Sequence, residues 1–127
     1  MNRTMAVLAL IACSVSVAAD APRSYEDAAA IWRRNRGTNE YRDYAAEFTQ
    51  FSNALRLDER GGCHSLAAGP VTLMLLVSQA ESRQFAVIER VFYDTDNAKA
   101  RCFERSYSGI ATKIPPSFPF VLQLRME

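Results

Sequence analysis

Val71-Thr72-Leu73-Met74-Leu75-Leu76-Val77-Ser78, a polar connection from Gln79 to Gln84, then Phe85-Ala86-Val87-Ile88-Glu89-Arg90-Val91-Phe92-Tyr93-Asp94 is the stretch that decides the fold. Val71, Leu73, Leu75 and Val77 alternate with Thr72, Met74, Leu76 and Ser78, so apolar residues fall on both faces, as in a strand covered from both sides. The segment from Phe85 to Asp94 is rich in Val, Ile, Phe and Tyr and reads as a second strand. Its return after a short loop predicts an antiparallel pair.

Downstream, Thr95 or Asp96 caps an expected helix over Asn97 to Ser108, closed by Gly109. Ala98, Cys102 and the stem of Arg105 share a stripe, with Phe103 and Tyr107 beside it. Ile114-Pro115-Pro116-Ser117-Phe118-Pro119 fits neither a helix interior nor a central strand. It reads as a stiff approach to a last strand, Phe120 to Met126. Residues 63–127 are thus expected to form a β-β-α-β module with a three-stranded sheet.

Upstream, residues 24–60 read as helical. Ser24 followed by Asp27 has the shape of a capping box, Gly37 can close a first helix containing Trp32, and Thr38 can cap a second. In that second helix Tyr41, Tyr44, Phe48, Phe51 and Leu55 recur at steps of 3, 4, 3 and 4, one stripe of an α-helix, opposite Arg42, Asp43, Glu47 and Asn53. Such a stripe packs on its own domain or, left exposed, associates with another protein or a second copy. Asp58-Glu59-Arg60-Gly61-Gly62 reads as a turn between the two halves. The fold class is α+β, one domain over residues 20–127.

Residues 1–19 carry the pattern of a cleaved secretory signal: Arg3, an apolar run from Met5, and the small-residue ending Val17-Ala18-Ala19, with cleavage after Ala19 or Ala18. The apolar stretch is shorter than the roughly 20 residues of a usual membrane span, which leaves an uncleaved anchor as the lesser alternative. Leu10-Ile11-Ala12-Cys13 has the form of a lipobox, with lipidation at Cys13 as a second alternative. Removing the signal leaves Cys63 and Cys102, and an even count in an exported chain reads as one disulfide.

Composition excludes several classes. The chain has 127 residues, 49% of them hydrophobic and 23% charged, the proportions of an ordinary globular domain rather than a disordered tail or a fibre. A net charge of +1 supplies no field for nucleic acid. No phosphate-binding loop, dinucleotide fingerprint, nucleophile elbow or zinc-protease motif occurs, so neither enzyme activity nor a cofactor is expected. The Cys63-His64 neighbours suggest a thiol dyad, yet adjacent residues on an extended backbone point apart and a disulfide consumes the thiol. Cys63, His64 and Cys102 lack paired zinc-ligand spacing and a fourth donor. Asp94-Thr95-Asp96-Asn97 lacks the spacing, glycine and closing glutamate of a calcium loop and is better read as a helix cap. No metal is expected.

The order of elements, together with Gly69-Pro70-Val71-Thr72-Leu73, Val87-Ile88-Glu89-Arg90-Val91, Asp96-Asn97-Ala98-Lys99-Ala100-Arg101-Cys102-Phe103, Ile114-Pro115-Pro116 and Phe120-Val121-Leu122-Gln123-Leu124, resembles the C-terminal domain of TonB-family proteins. The resemblance spans Gly69 to Met126. It implies a TonB-like fold and a periplasmic module that captures an extended peptide of an envelope protein by strand addition. It also implies that Phe120, Val121, Leu122, Gln123, Leu124 and Arg125 form the binding edge. The chain departs from TonB in lacking the long proline-rich spacer. The competing expectation is a structural or immunity-like protein associating, as a homodimer for instance, through the stripe from Tyr41 to Leu55.

Overall fold

The computed structural model describes residues 21–127, so the signal expected over residues 1–19, with Cys13, lies outside the described residues. Helix α1 spans Tyr25–Asn35. Its first turn is capped as the sequence predicts, the Ser24 hydroxyl accepting from the Asp27 amide at 3.1 Å. The Asp27 carboxylate reaches back to the amide of Arg23, one residue before the cap, at 3.1 Å. Helix α2 spans Asn39–Leu55, and the Thr38 hydroxyl accepts from the Tyr41 amide at 3.1 Å.

Arg56, in the left-handed region at φ 52°, ends α2 and turns the chain into 3-10 turns over Leu57–Ser65. These break at Gly61 (φ 74°) and Gly62 (φ 66°), a pair of left-handed residues that only glycine adopts cheaply. The break turns Cys63 inward, where it is fully buried and bonded to Cys102, with the two Cα atoms 5.5 Å apart. The disulfide read from the sequence is therefore present.

Strand β1 spans Val71–Gln79 and β2 Ala86–Tyr93, paired antiparallel with Leu75 facing Val91. Helix α3 covers Ala98–Tyr107, β3 Ala111–Thr112 and β4 Phe120–Met126. β4 also runs antiparallel to β1, with Leu75 facing Leu122. The register between β1 and β2 slips after Leu76, which faces Arg90, while Val77 faces Ile88, so Glu89 is the extra residue of a β-bulge.

The two apolar faces of β1 are both used. Leu73, Leu75 and Val77 join Ile88, Val91, Phe120 and Leu122 in a core closed by α2 and α3. Met74 and Leu76 join Phe92 and Val121 in a second layer closed by Ala28, Ala29 and Ile31 of α1. Helices α1 and α2 thus lie on opposite faces of the sheet although only Arg36, Gly37 and Thr38 connect them.

The fold is α+β, but two expectations are corrected. Among the described residues the sheet has four strands in the order β3-β2-β1-β4, not three. After α3, Gly109 at φ 77° turns the chain back so that its amide donates to Ile88 O at 2.8 Å and Ile110 O accepts from Ile88 N at 2.9 Å. This lays Ala111 and Thr112 beside β2. The TonB-like fold is likewise not the one observed: the fourth strand and the helices on both sheet faces form a different α+β arrangement. A two-residue strand is too short to show alternation, and the second apolar face of β1 shows that it is covered without showing which helix covers it.

Candidate functional site

Among the described residues the last strand is one of the two edges of the sheet. Of the six residues expected to bind a partner, Phe120, Val121 and Leu122 are buried in the core layers, Gln123 and Leu124 are half-buried, and Arg125 is exposed. Side chains in the first half of β4 are therefore committed to the fold. What the strand can offer is its main chain.

An antiparallel strand alternates residues that bond the neighbouring strand with residues whose amide and carbonyl point away from it. The Gln123 amide donates not to β1 but to the Tyr41 hydroxyl, at 3.4 Å. Gln123 is thus an outward-facing position, and the period of two gives Val121 and Arg125 the same direction. No strand among the described residues pairs with β4 on that side.

Tyr41 reaches this edge because α2 begins beside it. The Tyr41 ring stacks on Phe120 with centroids 5.5 Å apart, and Tyr44 meets the same ring edge-on at 4.8 Å. On the other side of the sheet, Trp32 of α1 donates its indole Nε1–H to the Tyr41 hydroxyl at 2.9 Å. The Arg36 guanidinium lies 4.8 Å over the Trp32 ring. The connector between α1 and α2 must round one edge of the sheet, and these contacts place it at β4. Burial raises the Tyr41 pKa, against the opposing pull of the hydrogen bonds from Gln123 and Trp32.

The second edge is built differently. β3 covers only Ala86 and Val87 of β2, and beyond them the strand carries the bulge at Glu89 and the exposed charges of Glu89 and Arg90. Bulges and edge charges both discourage further pairing. The Ser78 hydroxyl also bonds the Glu89 carboxylate.

The other sequence-derived candidates fall into structural roles. In the aromatic stripe, Tyr41, Tyr44 and Phe48 are buried in the core, Phe51 is half-buried and Leu55 is 42% exposed. The continuous docking stripe is therefore not on the surface. The Tyr44 hydroxyl donates to Lys113 O at 2.6 Å, tying α2 to the segment after β3. The Cys63 and Cys102 thiols are consumed by their bond.

His64 does not meet a thiol. Its ring nitrogens lie 3.2 Å from Asp58 Oδ2 and 3.1 Å from the main-chain oxygen of Glu127, with the ring edge-on to Phe103 at 5.1 Å. Asp94 Oδ1 accepts from the Thr72 amide at 3.0 Å, Asp96 pairs with Arg101 at 2.6 Å, and Asn97 caps α3 at the Ala100 amide at 2.8 Å. These oxygens secure the start of α3 and the end of β2. Among the described residues no group of three or more His, Cys, Asp or Glu side chains is placed to hold a metal ion.

The sequence shows the last strand, its place at an edge being implied by the TonB resemblance alone, but not the side chains that meet its outer amide. Tyr41 was legible only as one member of a stripe, and Trp32 only as a helix residue. The available signal was β1 itself, which is apolar on both faces and needs a helical layer on each. Two helices joined by a three-residue connector can supply both layers only by straddling an edge. The chain matches no protein-family model, no curated protein and no solved structure.

Proposed function

We propose that this chain is an exported, non-enzymatic module of the bacterial periplasm that binds another envelope protein by receiving an extended segment of it along β4. The observation that carries this reading is the asymmetry of the two sheet edges. β2 has a partial partner strand, a bulge and exposed charges. β4 pairs regularly with β1 from Val71↔Met126 to Val77↔Phe120 and meets no strand among the described residues on its outer side. An added antiparallel strand would exchange main-chain hydrogen bonds with Val121, Gln123 and Arg125, each worth about 0.5–1.5 kcal/mol net.

Export is supported by the charged, apolar and small-residue order of residues 1–19 and by a disulfide, which persists in oxidising compartments. The reading needs no cofactor. It rests on the strand edge and not on the TonB-like fold.

Photo-cross-linking in living cells tests it. A photoreactive residue in place of Gln123 or Arg125 is expected to yield adducts to one envelope protein, while the same residue at Arg42 or Glu47, exposed on α2, yields none. Adducts from the α2 positions alone would overturn the strand-addition reading.

A further inference from the structure

Resting on that reading, we infer that Trp32 and Tyr41 form a latch that occupies the β4 edge and must release before a strand can add. The Tyr41 hydroxyl takes a position on β4 that a neighbouring strand's carbonyl would take, accepting the outward Gln123 amide at 3.4 Å. It is held there by a second donor, Trp32 Nε1–H at 2.9 Å, from the helix on the opposite face. The two contacts close a clasp around the strand: α1 above, α2 below, and the connector Arg36 to Thr38 outside the edge.

The clasp is built to be reversible. A neighbouring strand would satisfy each outward-facing residue with two main-chain bonds, whereas the latch offers Gln123 one long side-chain bond. The connector is not packed into the core: Arg36, Gly37 and Thr38 are all exposed, and, its chain neighbours aside, no atom lies within 4 Å of a Cβ built on Gly37. The connector's bonds stay within the helical hairpin: the Arg36 amide donates to Trp32 O at 2.9 Å, the Thr38 hydroxyl donates to Asn35 O at 3.0 Å and accepts from the Tyr41 amide, and the Arg36 guanidinium stacks over Trp32. An unguarded regular edge is an aggregation hazard, and a tyrosine hydroxyl that mimics a strand partner protects it without abolishing it.

Amide exchange of the full chain, read residue by residue, tests the latch without any partner. Tyr41→Phe keeps the ring that stacks on Phe120 and removes only the acceptor. It is expected to speed Gln123 exchange roughly three- to tenfold, the range for one lost hydrogen bond, while Leu122 and Leu124 change by less than about twofold. Trp32→Phe, which removes the indole donor, is expected to act in the same direction. An unchanged Gln123 rate, or equal acceleration of all three residues, would overturn the latch.

A lysine-flanked peptide of the sequence Val71 to Gln79, the segment that already pairs with β4, serves as the strand probe. It should bind Tyr41→Phe roughly three- to tenfold more tightly than the unaltered chain, by fluorescence anisotropy. Equal binding to both would overturn the latch. Binding to neither, with Gln123 exchange accelerated as expected, would overturn strand addition and leave the latch standing as edge protection.

Discussion

At the residue scale, the hydroxyls of Tyr41, Tyr44 and Tyr107 hold together parts of the chain that are distant in sequence. Tyr41 joins α1 and α2 to β4, Tyr44 joins α2 to Thr112 and Lys113, and Tyr107 meets Ser52 at 3.4 Å between α3 and α2. Burial raises the pKa of all three, with hydrogen bonds from neighbouring groups pulling the other way. Raised folded pKa values fix the sign of the pH dependence. Below the ordinary value of 10.0 both folded and unfolded tyrosines are protonated, so the stabilisation is fully present. Above it the unfolded chain ionises first, and stability falls as pH rises through the folded values. Urea denaturation between pH 8 and pH 11 is therefore expected to show constant stability up to about pH 9.5 and a steady decline beyond it. Tyrosinate absorbance of the folded protein should rise later than that of the denatured chain; coincident titrations would contradict the burial.

At the element scale, the sequence was legible wherever a periodic pattern ran for several residues or a cap side chain stood at its start. β4 occupies Phe120–Met126, as read, and Ser24 and Thr38 cap the helices they were expected to cap. The start of α3 was read one or two residues early. Thr95 and Asp96 were the expected caps, but Asn97 has the extended backbone, φ −152° and ψ 174°, and its side chain accepts from the Ala100 amide. Asp96 is instead engaged by Arg101. Asn97→Ala should cost about 1 kcal/mol in urea denaturation, whereas Thr95→Ala should cost no more than about 0.5 kcal/mol. What sequence could not reveal was β3, two residues whose placement depends on the left-handed Gly109 and on bonds to Ile88. The same holds for α1, whose pairing with the Met74 and Leu76 face is a tertiary choice. The disulfide belongs to this scale too, since it ties the glycine break before β1 to α3. It closes a loop of sequence separation 39, for which the chain-entropy relation gives about 4 kcal/mol. Reduction is expected to lower the unfolding free energy by about that amount, read from urea transitions with and without reductant.

At the scale of the whole molecule, a four-stranded sheet is sandwiched between helices, and a single helical hairpin straddles one of its edges. On the proposed reading, that arrangement leaves the chemistry of recognition to the main chain of β4. The buried aromatic stripe is spent on the core, the thiols are joined, and His64 lies against Asp58 and the main chain of Glu127. Proline offers a direct way to close the edge. Arg125 shares the outward direction of Gln123, so Arg125→Pro removes an outer amide donor while leaving the donors that pair with β1 in place. The decisive measurement is the yield of cross-linked adduct from a photoreactive residue at position 123, with and without Arg125→Pro, in cells making equal amounts of folded protein. Strand addition along β4 predicts a clear adduct that falls by about tenfold with the proline, the loss that corresponds to about 1.4 kcal/mol of binding. An adduct that persists undiminished, or none in either case, would contradict it.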